Sequence, residues 1–142
     1  MADDNCLFCR IVSGEVPAAL VYVDENSVAF LDHRPLFHGH TLLVPREHVE
    51  TLVDLPQPLV GKFFEAAQSL ARAVQHAMKA EGTFVAMNNR VSQSVPHLHV
   101  HIVPRRKKDG LKGFFWPRTK YQDEEEMKVV QRKIAASLKE VA

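Results

Sequence analysis

The densest chemistry in the chain lies in Ser94-Val95-Pro96-His97-Leu98-His99-Val100-His101-Ile102-Val103. Side chains of an extended strand alternate faces, so His97, His99 and His101 share one face while Leu98, Val100 and Ile102 share the other. The apolar face packs on the core. The other lines up three imidazoles at steps of roughly 6.6 Å. Two chemistries suit such a row. A His-x-His pair on a strand holds zinc with a further ligand supplied elsewhere. Alternatively, one imidazole attacks phosphorus while its neighbours orient it and supply a proton. Other donors are available: His40, His48, the Ser94 hydroxyl and the Cys6-x-x-Cys9 pair. They suffice for one metal site and a separate site for chemistry. A thioredoxin-like use of the cysteines is disfavoured, because the pair does not open a helix in a βαβ unit.

The elements that must position these residues follow from periodicity. Strand-like runs occur at Leu20–Asp24, Ser27–Asp32, Thr41–Val44, Thr83–Asn88 and His97–Val103, bounded by turn residues such as Asp24-Glu25-Asn26 and Gly39. Between the third and fourth runs, Leu59, Val60, Phe63, Phe64, Ala67, Leu70, Ala71, Val74 and Met78 recur at helical spacing. Asp54, with Gln57 three residues on, is the expected cap of this long helix and Gly82 its stop. A second helix is expected from about Asp123 to the end, its Glu124-Glu125-Glu126 suited to the positive end of the dipole. Strands, a helix, then two more strands give an α+β order with an antiparallel sheet of about five strands.

The 142 residues suit one compact domain, and 46% hydrophobic with 25% charged residues is the composition of a globular protein. Eighteen Lys and Arg against 17 Asp and Glu leave a net charge of +1. That balance gives no footprint for nucleic acid or an anionic membrane surface. No apolar run approaches the ~18 residues of a membrane span. The opening MADDNCLFC lacks a secretory order, so the expectation is a cytoplasmic, reducing setting.

The row His97-Leu98-His99-Val100-His101-Ile102-Val103 resembles the His-x-His-x-His-x-x signature of the histidine triad (HIT) family of nucleotide hydrolases and transferases, of the bacterial Hint-like type. The resemblance extends to Cys6–Val12 and Gly14–Ala18, to Ala29-Phe30-Leu31-Asp32 with Pro35 and His40, to Val44-Pro45-Arg46-Glu47-His48, and to Gln93-Ser94-Val95. It covers residues 6 to 106, which makes 1–106 the expected HIT domain. Residues 107–142 are then a C-terminal extension, its aromatic segment Gly113-Phe114-Phe115-Trp116 and helix packed on the domain or on a dimer partner.

What the resemblance implies can be carried over residue by residue. His99 is the nucleophile that forms a nucleotidyl-histidine intermediate, its other nitrogen held by a backbone carbonyl. His101 contacts the phosphate and protonates the leaving group, Ser94 contacts the phosphate, and His40 supports the row. Asp32 accepts the ribose hydroxyls, a task suited to two carboxylate oxygens. Phe8, Ile11 and Phe30 form a slot for a purine base, and Asn89 and Gln93 stand at substrate-binding positions. Cys6, Cys9, His48 and His97 form a structural zinc site, a standard tetrahedral Cys2His2 set. His33, His38 and His76 have no assigned role. A homodimer is implied.

One departure stands out. The stretch Asn88-Asn89-Arg90-Val91-Ser92-Gln93-Ser94 is about three residues shorter than the family's phosphate loop and lacks its glycine, although close backbone approach to a phosphate usually needs one. Arg90 or Ser92 is then the candidate for leaving-group recognition. The expected activity is hydrolysis of purine nucleoside monophosphate conjugates such as phosphoramidates. The alternatives are a dinucleoside polyphosphate hydrolase and a nucleotide-binding module with little turnover.

Overall fold

The computed structural model describes residues 3–112 and 118–141. The order is α1 (Leu7–Val12), β1 (Leu20–Val23), β2 (Ser27–Leu31), β3 (Thr41–Pro45), a 3-10 turn (Leu52–Asp54), α2 (Gln57–Ala77), β4 (Gly82–Ala86), β5 (Val100–Arg105) and α3 (Glu124–Val141). The five strands form one antiparallel sheet in the order β1-β2-β3-β5-β4. The expected α+β class and strand number are observed. The chain divides into two compact units, residues 1–109 and 110–142. In the second, the Asp123 carboxylate accepts the Glu126 N–H at 2.8 Å, which starts α3 where the acidic run predicts it. Trp116 and its aromatic neighbours lie outside the described residues. Among the described residues no helix is long and apolar enough to cross a membrane.

The sheet of the first unit is covered on both faces. On one, α2 packs Phe63, Ala67 and Leu70 against Ala29, Leu43, Leu98, Val100 and Ile102. On the other, α1 brings Cys6, Phe8 and Cys9 onto Val28, Phe30, Leu42 and Val44. Alternation along β2 and β3 assigns each residue to its face, and the register pairs Phe30 with Leu42 and Ala29 with Leu43. With both faces covered, these strands are buried along most of their length, whereas edge strand β1 leaves Leu20, Val21 and Val23 half exposed.

Two local expectations are corrected. Asp54 does not cap the long helix: it closes a capping box with Thr51 over the 3-10 turn, and α2 begins after Pro56 with no side-chain cap. Gly82 does not stop α2 either. The helix ends at Ala77, Lys79 takes a left-handed φ of 53°, the Ala80 N–H reaches the Gln75 carbonyl at 2.9 Å, and Gly82 opens β4. The cysteine pair does open a helix, although not in a βαβ unit: Cys6 is the N-cap of α1, its Sγ accepting the Cys9 N–H at 3.4 Å.

One glycine is demanded by geometry. Gly39, just before His40, has φ +100°, and a Cβ there would fall 2.6 Å from Met78 Cγ and 3.3 Å from Pro104 Cγ. Gly39→Ala therefore combines left-handed strain with a close contact. The expected loss is about 1–3 kcal/mol of stability, read as a lower urea midpoint; an unchanged midpoint would contradict this account.

Candidate active site and metal cluster

The histidine row is only partly on a strand. β5 begins at Val100, so His101 is in it while His97 and His99 precede it. The physical reason lies in β3. Its register with β5 runs from Thr41–Ile102 to Leu43–Val100, and the next positions would reach Pro45. Pro45 has no N–H to give a ladder, and its carbonyl is occupied by the His97 side chain, Nε2 to O at 2.8 Å. The segment is held instead by the Leu98 N–H on the Val49 carbonyl at 2.7 Å. Alternation persists all the same. Leu98, Val100 and Ile102 are fully buried toward α2, and the His97 and His99 rings lie against Phe8 of α1 on the opposite face.

Hydrogen bonds assign the protons on each ring. His99 Nδ1 lies 2.8 Å from the His97 carbonyl oxygen, which can only accept, so Nδ1 carries the hydrogen and Nε2 keeps a free lone pair. This is the backbone carbonyl that the sequence leads one to expect. His40 Nδ1 accepts the Leu36 N–H at 3.1 Å, so its hydrogen is on Nε2, which donates to His101 Nδ1 at 3.0 Å. His101 must then carry its own hydrogen on Nε2. The result is a neutral pair in which His99 offers an electron pair and His101 offers a hydrogen-bond donor, their ring centroids 5.0 Å apart.

Burial keeps these rings neutral. Desolvation pulls His40 and His99 below the ordinary imidazole value and His101 down to about 4, with the neighbouring histidines adding to the effect on His40 and His101. The Asp32 carboxylate opposes this only in part. Its Oδ2 is 3.7 Å from His40 Nε2, and its Oδ1 accepts the Arg34 N–H at 2.9 Å. Asp32 and His40 meet because the β2–β3 loop closes on itself, the Asp32 N–H donating to the His40 carbonyl at 2.9 Å.

These groups open on a cavity of about 620 Å³. Asp32, Ser94, His99 and His101 are on its wall, and Phe8, Ile11 and Phe30 form an apolar side, with Phe8 and Phe30 edge-to-face at 5.4 Å. The structure thus brings together seven of the expected residues. His40 stands behind His101 and is buried. Residues the sequence reading left without a pocket role also line the cavity: Val16, Pro17 and Ala18 after α1, Leu42 on β3, and Val95. The Phe30–Leu42 register pair could have signalled Leu42. The others depend on how α1 lies on the sheet, for which the sequence carries no period.

Asn89 and Gln93 do not line the cavity. The Asn89 side chain accepts the Leu52 N–H at 2.8 Å, and Gln93 spans the Arg90 N–H and the Glu50 carbonyl, both at 2.7 Å. The short loop is folded on itself and pinned to residues 50–52. Lacking glycine, it turns through left-handed φ values of 72° at Arg90 and 62° at Ser92. Arg90 pairs with Glu50 at 3.9 Å and the Ser92 carbonyl accepts from Asn88, and neither residue lines the cavity. His33 stands at the cavity rim, 4.0 Å from Asp32.

A second constellation lies behind His99. Cys6 Sγ is 3.4 Å from His97 Nδ1, and Cys9 Sγ is 3.2 Å from His48 Nδ1 and 3.5 Å from His97 Nδ1. All four donor atoms lie within 4.8 Å of one another. Such spacing suits the edges of a tetrahedron built on metal–ligand bonds of about 2.0–2.3 Å. The proton assignment agrees, because His97 gives its Nε2–H to Pro45 and points the lone pair of Nδ1 at the sulfurs. Burial raises the Cys9 thiol, so a metal must displace protons to bind. The other cluster of donors, Asp32, His40 and His101, fails the same test: His40 Nδ1 accepts a backbone N–H, which leaves no lone pair on Nε2 for an ion.

Residues 13–108 match the HIT domain. The chain belongs to the HIT family. This HIT protein superposes on a HIT family member from Bacillus subtilis with a TM-score of 0.86 at 34% identity, covering 94% of this chain and 96% of that one. It is similar to a Zn-bound histidine triad family protein from Mycobacterium smegmatis, with a TM-score of 0.71 at 38% identity over 97% and 98% of the two chains. It is also 36% identical over 112 residues to adenosine 5'-monophosphoramidase HNT1 of Saccharomyces cerevisiae, covering 77% of this chain and 68% of that protein.

The depressed histidines carry a stability signature. Above pH 7 the rings are neutral in folded and unfolded chains alike. Below about 6.5 the unfolded chain takes up protons that the folded chain refuses, so stability falls, by at most about 1.4 kcal/mol per pH unit for each such ring. For His101, whose folded value is about 4, the loss from pH 6.5 to 5 is on the order of 2 kcal/mol. Urea unfolding of wild type and His101→Asn at both pH values should show the smaller decline in the variant; parallel declines would refute the assignment.

Proposed function

We propose that this HIT protein hydrolyses purine nucleoside monophosphate conjugates, phosphoramidates above all, through a nucleotidyl intermediate on His99. The observation that carries the reading is the proton assignment: the His97 carbonyl holds His99 Nδ1–H, leaving Nε2 as a neutral nucleophile in a cavity that also presents Asp32, Ser94 and His101 Nε2–H. The yeast relative named as an adenosine 5'-monophosphoramidase supports the substrate class.

In this reading the base enters the slot of Phe8, Ile11 and Phe30, Asp32 accepts the ribose hydroxyls, and Ser94 donates to a phosphate oxygen. His99 Nε2 attacks the α-phosphorus as the bond to the leaving group breaks. The leaving amine takes up a proton, and water then attacks phosphorus, freeing the monophosphate and returning a proton. The first proton comes from solvent and the second returns to it, while His101 Nε2–H, a neutral donor on the cavity wall, supplies a hydrogen bond to the departing nitrogen. His40 fixes the tautomer of His101, a positioning task. The same reading places zinc on Cys6, Cys9, His48 and His97, where it ties α1 to the segment carrying His99 and takes no part in the chemistry; the Zn-bound relative supports it.

Steady-state hydrolysis of an adenosine phosphoramidate tests the nucleophile, with diadenosine tetraphosphate run in parallel. In His99→Asn the side-chain amide can keep the bond to the His97 carbonyl, so fold and AMP binding should survive while turnover falls by roughly three orders of magnitude or more. Retained turnover, or loss of fold together with activity, would sink the assignment, and turnover on the tetraphosphate alone would move the substrate class. Elemental analysis of the purified protein should give one zinc per chain, lost in Cys9→Ser. A metal-free wild type whose melting temperature ignores added zinc would remove the metal from the reading.

A further inference from the structure

α1 carries ligands of one site and walls of the other. Cys6 caps it and faces His97, Cys9 is in it and faces His97 and His48, while Leu7, Phe8 and Ile11 line the cavity. The Phe8 ring touches both systems, 5.9 Å from His97 and 5.0 Å from His99, centroid to centroid. The helix has six residues, too few to be stable alone. The backbone bonds that flank it stay inside its own segment: Cys6 to Asp3, Gly14 to Ile11, Val16 to Arg10. Its attachment to the sheet is made by side chains, the apolar contacts of Phe8 and the two sulfurs facing the imidazoles.

We propose that metal and nucleotide bind this protein cooperatively, with Cys6 and Cys9 acting as positioning residues for the nucleotide pocket. A zinc ion on the four donors fixes α1 against His97 and so sets the distance between the Phe8–Ile11 wall and Phe30. Without it, the wall is held only by apolar packing and weak sulfur–imidazole hydrogen bonds, and a nucleotide entering the slot must order the helix further as it binds. Linkage makes the effect reciprocal: whatever factor zinc contributes to nucleotide affinity, nucleotide contributes to zinc retention. His97 adds a second connection, since the residue that offers Nδ1 to the metal also offers its carbonyl to His99.

This inference rests on the nucleotide reading above, and the test separates the two. AMP affinity is measured by titration calorimetry at 25 °C on zinc-loaded protein, on chelator-stripped protein, and on stripped protein with zinc restored, circular dichroism confirming the folded state of each. The expected result is AMP binding about 5- to 100-fold weaker without zinc and recovered on its return. Cys9→Ser should match the stripped protein. Removal of a purely structural metal would lower the melting temperature and leave the affinity of the folded chain unchanged. The reciprocal arm needs only the zinc-loaded form: at equilibrium with a competing chromophoric chelator, zinc affinity should rise by the same factor in saturating AMP. Equal AMP affinities with and without zinc, or a zinc affinity indifferent to AMP, would overturn the coupling. Zinc-loaded protein that binds no AMP at all would overturn the nucleotide reading, and the coupling with it.

Discussion

The carbonyl oxygen of His97 accepts the Nδ1–H of His99, and the chemistry of the site turns on that bond. A neutral imidazole has one lone pair to offer, and which nitrogen offers it is decided by what the other nitrogen touches. Here the partner is the backbone itself, two residues upstream, which side-chain motion does not displace. The carbonyl is placed in turn by its own ring, whose Nε2–H is fixed to the Pro45 carbonyl and whose Nδ1 faces two sulfurs. Proline at position 45 has a double effect. It interrupts the ladder that would have made His97 an ordinary strand residue, and it leaves an acceptor that selects the His97 tautomer.

Covering the sheet on both faces supplies the other half of the argument. Most small antiparallel sheets leave one side to water. In this one, α2 takes one face and α1 the other, so the imidazoles stand in a desolvated layer and stay neutral where exposed histidines would begin to charge. A neutral His99 keeps its electron pair, and a neutral His101 coexists with the Nε2–H of His40 pointing at it. Had His101 become an imidazolium, its Nδ1–H and the Nε2–H of His40 would face each other across 3.0 Å.

Much of this was legible in the amino acids. Strand number, the long helix and the separation of Leu98, Val100 and Ile102 from the histidines follow from periods of two and 3.6, because side-chain burial obeys those periods. Chemistry-bearing side chains were legible by type: Cys6, Cys9, His48 and His97 do converge, and Asp32, Ser94, His99 and His101 do share a cavity. What the sequence withheld was backbone. The Leu36 N–H that sets the His40 tautomer and the Pro45 carbonyl that sets that of His97 are groups every residue possesses, so composition carries no trace of them. Helix α1 was too short for a period to emerge, and with it went the pocket roles of Val16, Pro17 and Ala18. Asn89 and Gln93 read as substrate ligands because their side chains could serve; the contracted loop needs the same amides to satisfy its own backbone.

The strand order has a kinetic consequence. β5 lies between β3 and β4, yet it is the last of the five to be synthesised. Its hairpin partner β4 is near in sequence, but β3 lies on the other side of the whole α2 crossover, so half of its pairing closes a long loop. Until residues 97–105 are inserted, β3 and β4 both expose unpaired edges, and none of the histidine row has its partners. The His99 ring therefore gains its partners only with this last strand, and a chain truncated before residue 97 lacks the histidine row altogether.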